Sequence, residues 1–171
     1  MFRINDVYKR QDESFRILRI TPHHIVWINI FSPTSNPFLI EKKELINSIE
    51  ENEAELIKDP FVDIALMKVV EGSTQQQKRD TGMDLIKPLI THDHFFDLFT
   101  RFDLVKRILE QKKSTHQTIY RLARRYWQRG QIPNALIPSY QNSGAKGSKR
   151  IAKDKKLGRP RKFMPGIGAL I

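Results

Sequence analysis

Thr115-His116-Gln117-Thr118-Ile119-Tyr120-Arg121-Leu122-Ala123-Arg124-Arg125-Tyr126-Trp127-Gln128-Arg129, with Gly130 behind it, carries its own start and stop signals. Thr115 offers a hydroxyl as N-cap and Gly130 a C-terminal stop, so one helix of about four turns is predicted between them. Ile119, Leu122, Ala123 and Tyr126 recur on one face, which leaves His116, Gln117, Arg121, Arg124, Arg125 and Gln128 to face outward. Upstream, Phe102, Val105, Ile108 and Leu109 outline a second amphipathic helix that ends at Lys112-Lys113-Ser114. Two helices across a turn of about three or four residues, the second basic and rich in Arg and Gln, are the outline of a helix-turn-helix.

The balance of charge separates this reading from that of a merely solvated helix. Between residues 101 and 113 the only acids are Asp103 and Glu110, and residues 114–129 hold none. A solvated structural helix more often mixes Glu with its Lys and Arg. Arg and Gln read base edges in a major groove, while Lys and Arg also neutralise phosphates. The candidate base-reading residues are therefore His116, Gln117, Arg121 and Arg124 or Arg125. Lys112, Lys113 and Thr115 are the candidates for phosphate.

Outward from that helix, the 171 residues and net charge of +11 divide unevenly. Residues 1–100 hold 12 Lys and Arg against 16 Asp and Glu, a net of −4, whereas residues 101–171 hold 18 against 3, a net of +15. A mildly acidic front joined to a strongly basic back points to a polyanion, most simply double-stranded DNA, as partner of the back half. With no cysteine, disulfides and thiolate metal sites are excluded, in keeping with a reducing bacterial cytoplasm and a nucleoid-associated protein. Neither a signal-peptide core nor a stretch of roughly 18 apolar residues is present, so no membrane role is expected.

The front reads as short strands. Residues 2–7, 15–20 and 25–30 are apolar or alternating, with a polar turn at 10–13 and a break at Thr21-Pro22-His23-His24; residues 38–40 return as a further strand. Such runs suggest a meander curling into a small barrel, with Trp27 in its core. Residues 41–57 are expected to be helical, with Leu45, Ile46, Ile49 and Leu56 near one face. Gly72-Ser73 marks a boundary before a helix over about 74–89 that packs through Met83, Leu85, Ile86 and Leu89 and is ended by Pro88 and Thr91-His92-Asp93. Asp93 can cap the next segment, whose Phe95, Phe96, Leu98, Phe99 and Phe102 are dense enough to floor a helical domain. His23, His24, His92 and His94 lack third ligands at a useful spacing, so neither a metal site nor a cofactor is expected. The clustered glutamates at 50, 51, 53 and 55 suit a solvated face rather than catalysis.

Behind the basic helix, residues 131–138 form an extended, Pro-punctuated strap. Residues 146–162 contain Asp154 as their only acid, the profile of an arm that orders on DNA, with Lys149 and Arg150 among its bases. Within it, Gly158-Arg159-Pro160-Arg161-Lys162 resembles an AT-hook core, in which Pro extends the backbone so that Arg159 and Arg161 can enter a narrow A·T-rich minor groove. The alternative is a basic linker that touches phosphates only. The expected class is α+β: a small β-rich domain with one helix over 1–72, a helix-turn-helix domain over 73–139, and a basic extended tail over 140–171.

The run from Tyr120 through Gly130-Gln131-Ile132-Pro133-Asn134-Ala135-Leu136-Ile137-Pro138, then Asn142-Ser143-Gly144-Ala145 and Gly158-Arg159-Pro160-Arg161, resembles the TnsB family, the Mu-type transposase subunits of bacterial cut-and-paste elements. The opening, from Tyr8 to Val26-Trp27, is similar to that family's start. The resemblance implies an end-binding portion that recognises repeats at transposon ends and positions a nuclease. Family members continue into an RNase H-like domain with a DDE triad of metal-binding carboxylates, and no residue here can be assigned to it, so this portion is expected to be no enzyme by itself. Other transposition proteins are implied as partners. A truncated product acting as a DNA-binding regulator, or as a competitor of transposition, is the alternative expectation.

Overall fold

Strands β2 (Glu13–Ile20) and β3 (His24–Asn29) are buried at consecutive positions, Ser14 to Leu18 and Ile25 to Asn29, instead of at alternate ones. In the computed structural model, which describes residues 1–138, the reason is that both their faces are covered. They lie inside a five-stranded antiparallel sheet with β1 (Val7–Arg10), β4 (Phe38–Glu41) and β5 (Ala54–Ile57), in the order β4-β3-β2-β1-β5. One face, with Tyr8, Phe15, Ile17, Ile25, Trp27 and Ile40, closes over helix α1 (Lys42–Glu50) through Leu45, and Trp27 stacks on Phe15 at 4.4 Å between ring centroids. The opposite face sends Leu18, Val26 and Ile28 into the helical half.

A bulge at Leu18 sets how the strands address that half. Ile17 pairs with Trp27 and Arg19 with Val26, so one extra residue is accommodated on β2. Its effect is to put Arg19 on the same face as Val26, where its Nη1 donates to both the carboxylate and the backbone carbonyl of Asp93 at 2.8 Å. A regular strand would turn Arg19 into the core of Ile17, Ile25 and Trp27.

The helical half comprises the short α2 (Val62–Leu66), then α3 (Thr74–Ile90), α4 (Leu98–Gln111), α5 (His116–Gln128) and a 3₁₀ turn, Pro133–Leu136. Ser73 accepts from the Gln76 N–H as N-cap of α3, while Gln76 Oε1 accepts from the Gly72 N–H, which stands at φ +71°. Ile86 and Leu89 of α3, Val105 and Ile108 of α4, and Ile119, Ala123 and Trp127 of α5 form one apolar core with Leu136 and with the sheet residues Leu18, Val26 and Ile28. Packing is thus continuous across the Gly72-Ser73 turn.

Gly82, buried in mid-α3, faces both α5 and the strap. A β-carbon there would sit 3.3 Å from Leu136 Cδ1 and 3.7 Å from Leu122 Cδ1. Alanine would gain about 1 kcal/mol of helix propensity while asking Leu136 to yield a little, but a branched side chain has no such room. Gly82→Val is expected to lower stability by about 1–3 kcal/mol, measured by thermal unfolding.

Several expectations are corrected. Residues 3–6 form a turn, with Asn5 at φ +72°, and β1 begins only at Val7. The helix expected over 41–57 ends at Glu50; Asn52 takes φ +59° and turns the chain into β5, which pairs with β1. Pro88 does not end α3, since it stands in the last turn, and the carbonyl of Asp84 that its missing N–H would have served accepts instead from Lys112 Nζ. The cap of α4 is Asp97, not Asp93. Of the expected phenylalanine floor only Phe95 is buried and Phe96 packs partly against it; Leu98, Phe99 and Phe102 face solvent.

Candidate nucleic-acid interface

Helices α4 and α5 meet across the tight connection 112–115, and α5 is started by Thr115, whose Oγ1 accepts from the Thr118 N–H at 3.2 Å. The stop is the expected one: Gly130 takes φ +98°, and the Gln131 N–H returns to the carbonyl of Tyr126. Ile119 and Ala123 are buried as the period demands, but the largest buried anchor is Trp127, stacked 5.4 Å from Phe95. Its i, i+4, i+8 relation to Ile119 and Ala123 was available as a signal.

Gln117, Arg121, Arg124 and Gln128 fall within one stripe of α5. The structure divides that stripe in two. Its first half is open, Gln117 and Arg121 being exposed together with His116, which stacks on Phe102 at 6.3 Å. The second half is covered by the β3–β4 loop: Arg124 Nε donates to Asn36 Oδ1 at 3.2 Å and its Nη1 to the Pro33 carbonyl, while Gln128 Nε2 donates to the carbonyls of Asn29 and Ser32 at 2.9 and 2.7 Å. The Arg124 guanidinium also lies 5.5 Å from the Tyr120 ring centroid. Arg125 Nη2 donates to the carbonyl of Ile137 at 2.8 Å, tying the strap down. Burial first, then the charges of Arg129 and Arg121, hold the Arg125 guanidinium below its ordinary value.

The C-terminal end of α5 is clamped by the sheet. Arg16 of β2, fully buried, donates from Nε to the Gln128 carbonyl at 3.1 Å and from Nη1 to the Asn5 carbonyl, and pairs through both Nη atoms with the carboxylate of Asp59 at 2.9 and 2.5 Å. Burial alone would raise the Asp59 carboxyl, yet the Arg16 guanidinium and the Phe61 N–H hold it below the usual carboxylate range. The opposite end is fixed at the turn by Lys112, whose ammonium is spent partly on the Asp84 carbonyl. Exposed Lys113 and Thr115 flank the first turn of α5.

The expected surface therefore resolves into groups. His116, Gln117, Arg121, Lys113 and Thr115 come together at the open N-terminal half of α5, with Lys112 beside them. Arg124 and Arg125 are engaged within the protein. Arg101, counted in sequence among the basic residues, is buried, and its Nη1 donates to the carbonyls of Phe95 and Phe96. Lys149, Arg150, Arg159 and Arg161 lie outside the described residues. Among the described residues, no group of His, Asp and Glu could hold a metal ion, and no helix is long and apolar enough to cross a membrane.

Residues 1–60 match the TnsB N-terminal SH3-like domain and residues 79–140 match the TnsB second domain. The Escherichia coli protein described as "Transposon Tn7 transposition protein TnsB" is 37% identical over 172 aligned residues, which take in 100% of this chain and 24% of that protein. The chain thus spans about a quarter of the length of this curated relative. With the antiparallel sheet falling in the first match and the capped α4–α5 pair in the second, the chain belongs to the TnsB family and carries its N-terminal SH3-like and second domains.

Proposed function

We propose that this chain binds double-stranded DNA sequence-specifically, at repeats in the ends of a transposon. Helix α5 enters a major groove by its N-terminal half, as recognition helices do, with Gln117, Arg121 and His116 toward base edges. Lys113 and Thr115, with Lys112, hold phosphates at the turn. Lys149, Arg150, Arg159 and Arg161 follow the adjacent minor groove. Three parts are inferred, a β-rich 1–72, a helix-turn-helix 73–139 and a basic arm 140–171, which together place DNA without breaking its bonds. Other transposition proteins and a nucleoid location accompany the reading. The observation that carries it is an acid-free helix whose exposed half, Gln117 and Arg121, has no hydrogen-bond partner among the described residues while its other half is bolted to the sheet and the β3–β4 loop.

Arg121→Ala is expected to cost about 1–3 kcal/mol on the repeat and much less on random duplex, because a lost bidentate base contact removes discrimination. Lys149→Ala should weaken both duplexes alike and flatten the dependence of log K on log salt by about 0.9. Titrations at several salt concentrations check both. Wild-type binding that does not distinguish the element's terminal repeats from scrambled duplex would overturn the proposal.

A further inference from the structure

The stripe on α5 does not end in solvent but runs beneath the loop 31–37, which joins β3 to β4 of the SH3-like part. Arg124 follows Arg121 by about 4.5 Å along the helix axis, and a B-form major groove is about 12 Å wide. A duplex seated on His116, Gln117 and Arg121 therefore brings one of its phosphate rails over that loop. The loop's chemistry suits such a neighbour. From residue 30 to residue 40 there is no charged side chain, and Ser32, Thr34, Ser35 and Asn36 supply hydroxyl and amide donors of the kind that contact phosphodiester oxygens. Its position is fixed from below: Asn29 Oδ1 accepts from the N–H groups of Phe31 and Ser32, and Gln128 and Arg124 hold the carbonyls of Ser32 and Pro33. Those carbonyls, which would repel phosphate, are thereby turned toward α5.

We infer that the β3–β4 loop is a second DNA contact, a phosphate-binding edge supplied by the SH3-like part and locked in register with the recognition helix through Arg124 and Gln128. The sheet and the helix-turn-helix then grip the same groove wall. Arg124 is a positioning residue in this arrangement, holding the loop through Asn36 and Pro33 while its neighbour Arg121 faces the bases. The inference rests on the proposed use of α5 as the reading helix.

The test places a charge on the exposed Thr34 and, as control, on the exposed Leu56 of β5. Thr34→Lys in the full chain is expected to tighten binding to both repeat and random duplex and to steepen the salt slope by about 0.9, the value for one further phosphate contact. Thr34→Glu should weaken both duplexes by a common factor of about ten, leaving their ratio unchanged. Leu56→Lys and Leu56→Glu should leave the salt slope as it is. Equal slope changes at positions 34 and 56 would overturn the loop contact while leaving α5 as reader intact. Loss of wild-type discrimination between repeat and scrambled duplex would instead remove the reading on which it stands.

Discussion

Trp127→Ala is expected to lower the stability of the fold by about 3–5 kcal/mol, measured by the shift of a denaturant midpoint at unchanged slope. The indole is fully buried, stacks on Phe95, and belongs to the core that joins Ile119 and Ala123 of α5 to Leu18, Val26 and Ile28 of the sheet. Its Nε1 has no hydrogen-bond partner among the described residues, so the loss there is one of packing and apolar burial. Domains of this size are stable by about 5–15 kcal/mol, so the loss is a large fraction of the whole. A loss below about 1 kcal/mol would mean that α5 is not anchored there.

Asp59→Asn is expected to cost about 3 kcal/mol, because it leaves the fully buried Arg16 guanidinium without its counter-charge while keeping the shape of the side chain. The pH dependence gives a second readout. The Asp59 carboxyl lies below its usual range in the folded state, so in the window below about pH 4 the unfolded chain binds the more protons and stability rises with pH. This contribution is present above the unfolded value and disappears as pH falls through the folded one. Asp93 and Asp97 are depressed in the same direction, by Arg19 and by the Thr100 N–H respectively, so Asp59→Asn should flatten the acid limb of a stability profile without abolishing it. An unchanged acid limb would contradict the pairing. Because Arg16 also holds the Gln128 carbonyl, the same variant should loosen the end of α5.

Local signals account for what was legible in the sequence. Thr115 and Gly130 bound α5 because capping is chemistry between neighbours, and β2 and β3 announce themselves by their β-branched and aromatic runs. The stretch 41–57 misled because its Glu, Leu and Ile suit a helix equally well, while one left-handed residue, Asn52, converts its end into a paired strand. The division of the basic face was invisible for another reason. Helical period places Gln117, Arg121, Arg124 and Gln128 together, but whether each meets solvent or protein depends on a loop some 90 residues away in sequence. The aromatic cluster at 95–102 failed likewise: hydrophobicity marks residues that can be buried, and the buried Arg101 shows that the α4 turn toward Pro37 was settled by carbonyl oxygens as much as by rings.

The two regions matched to separate TnsB domains invite dissection, yet β2 and β3 are greasy on the flank that meets α3 and α5 as well as on the flank that covers α1. Severed at Gly72-Ser73, each portion would bare an oily wall that its counterpart had kept dry, and insoluble halves are the outcome to expect. Swapping a foreign helix in for α5 faces the same obstacle, since the graft must also fit Leu18, Val26 and Ile28.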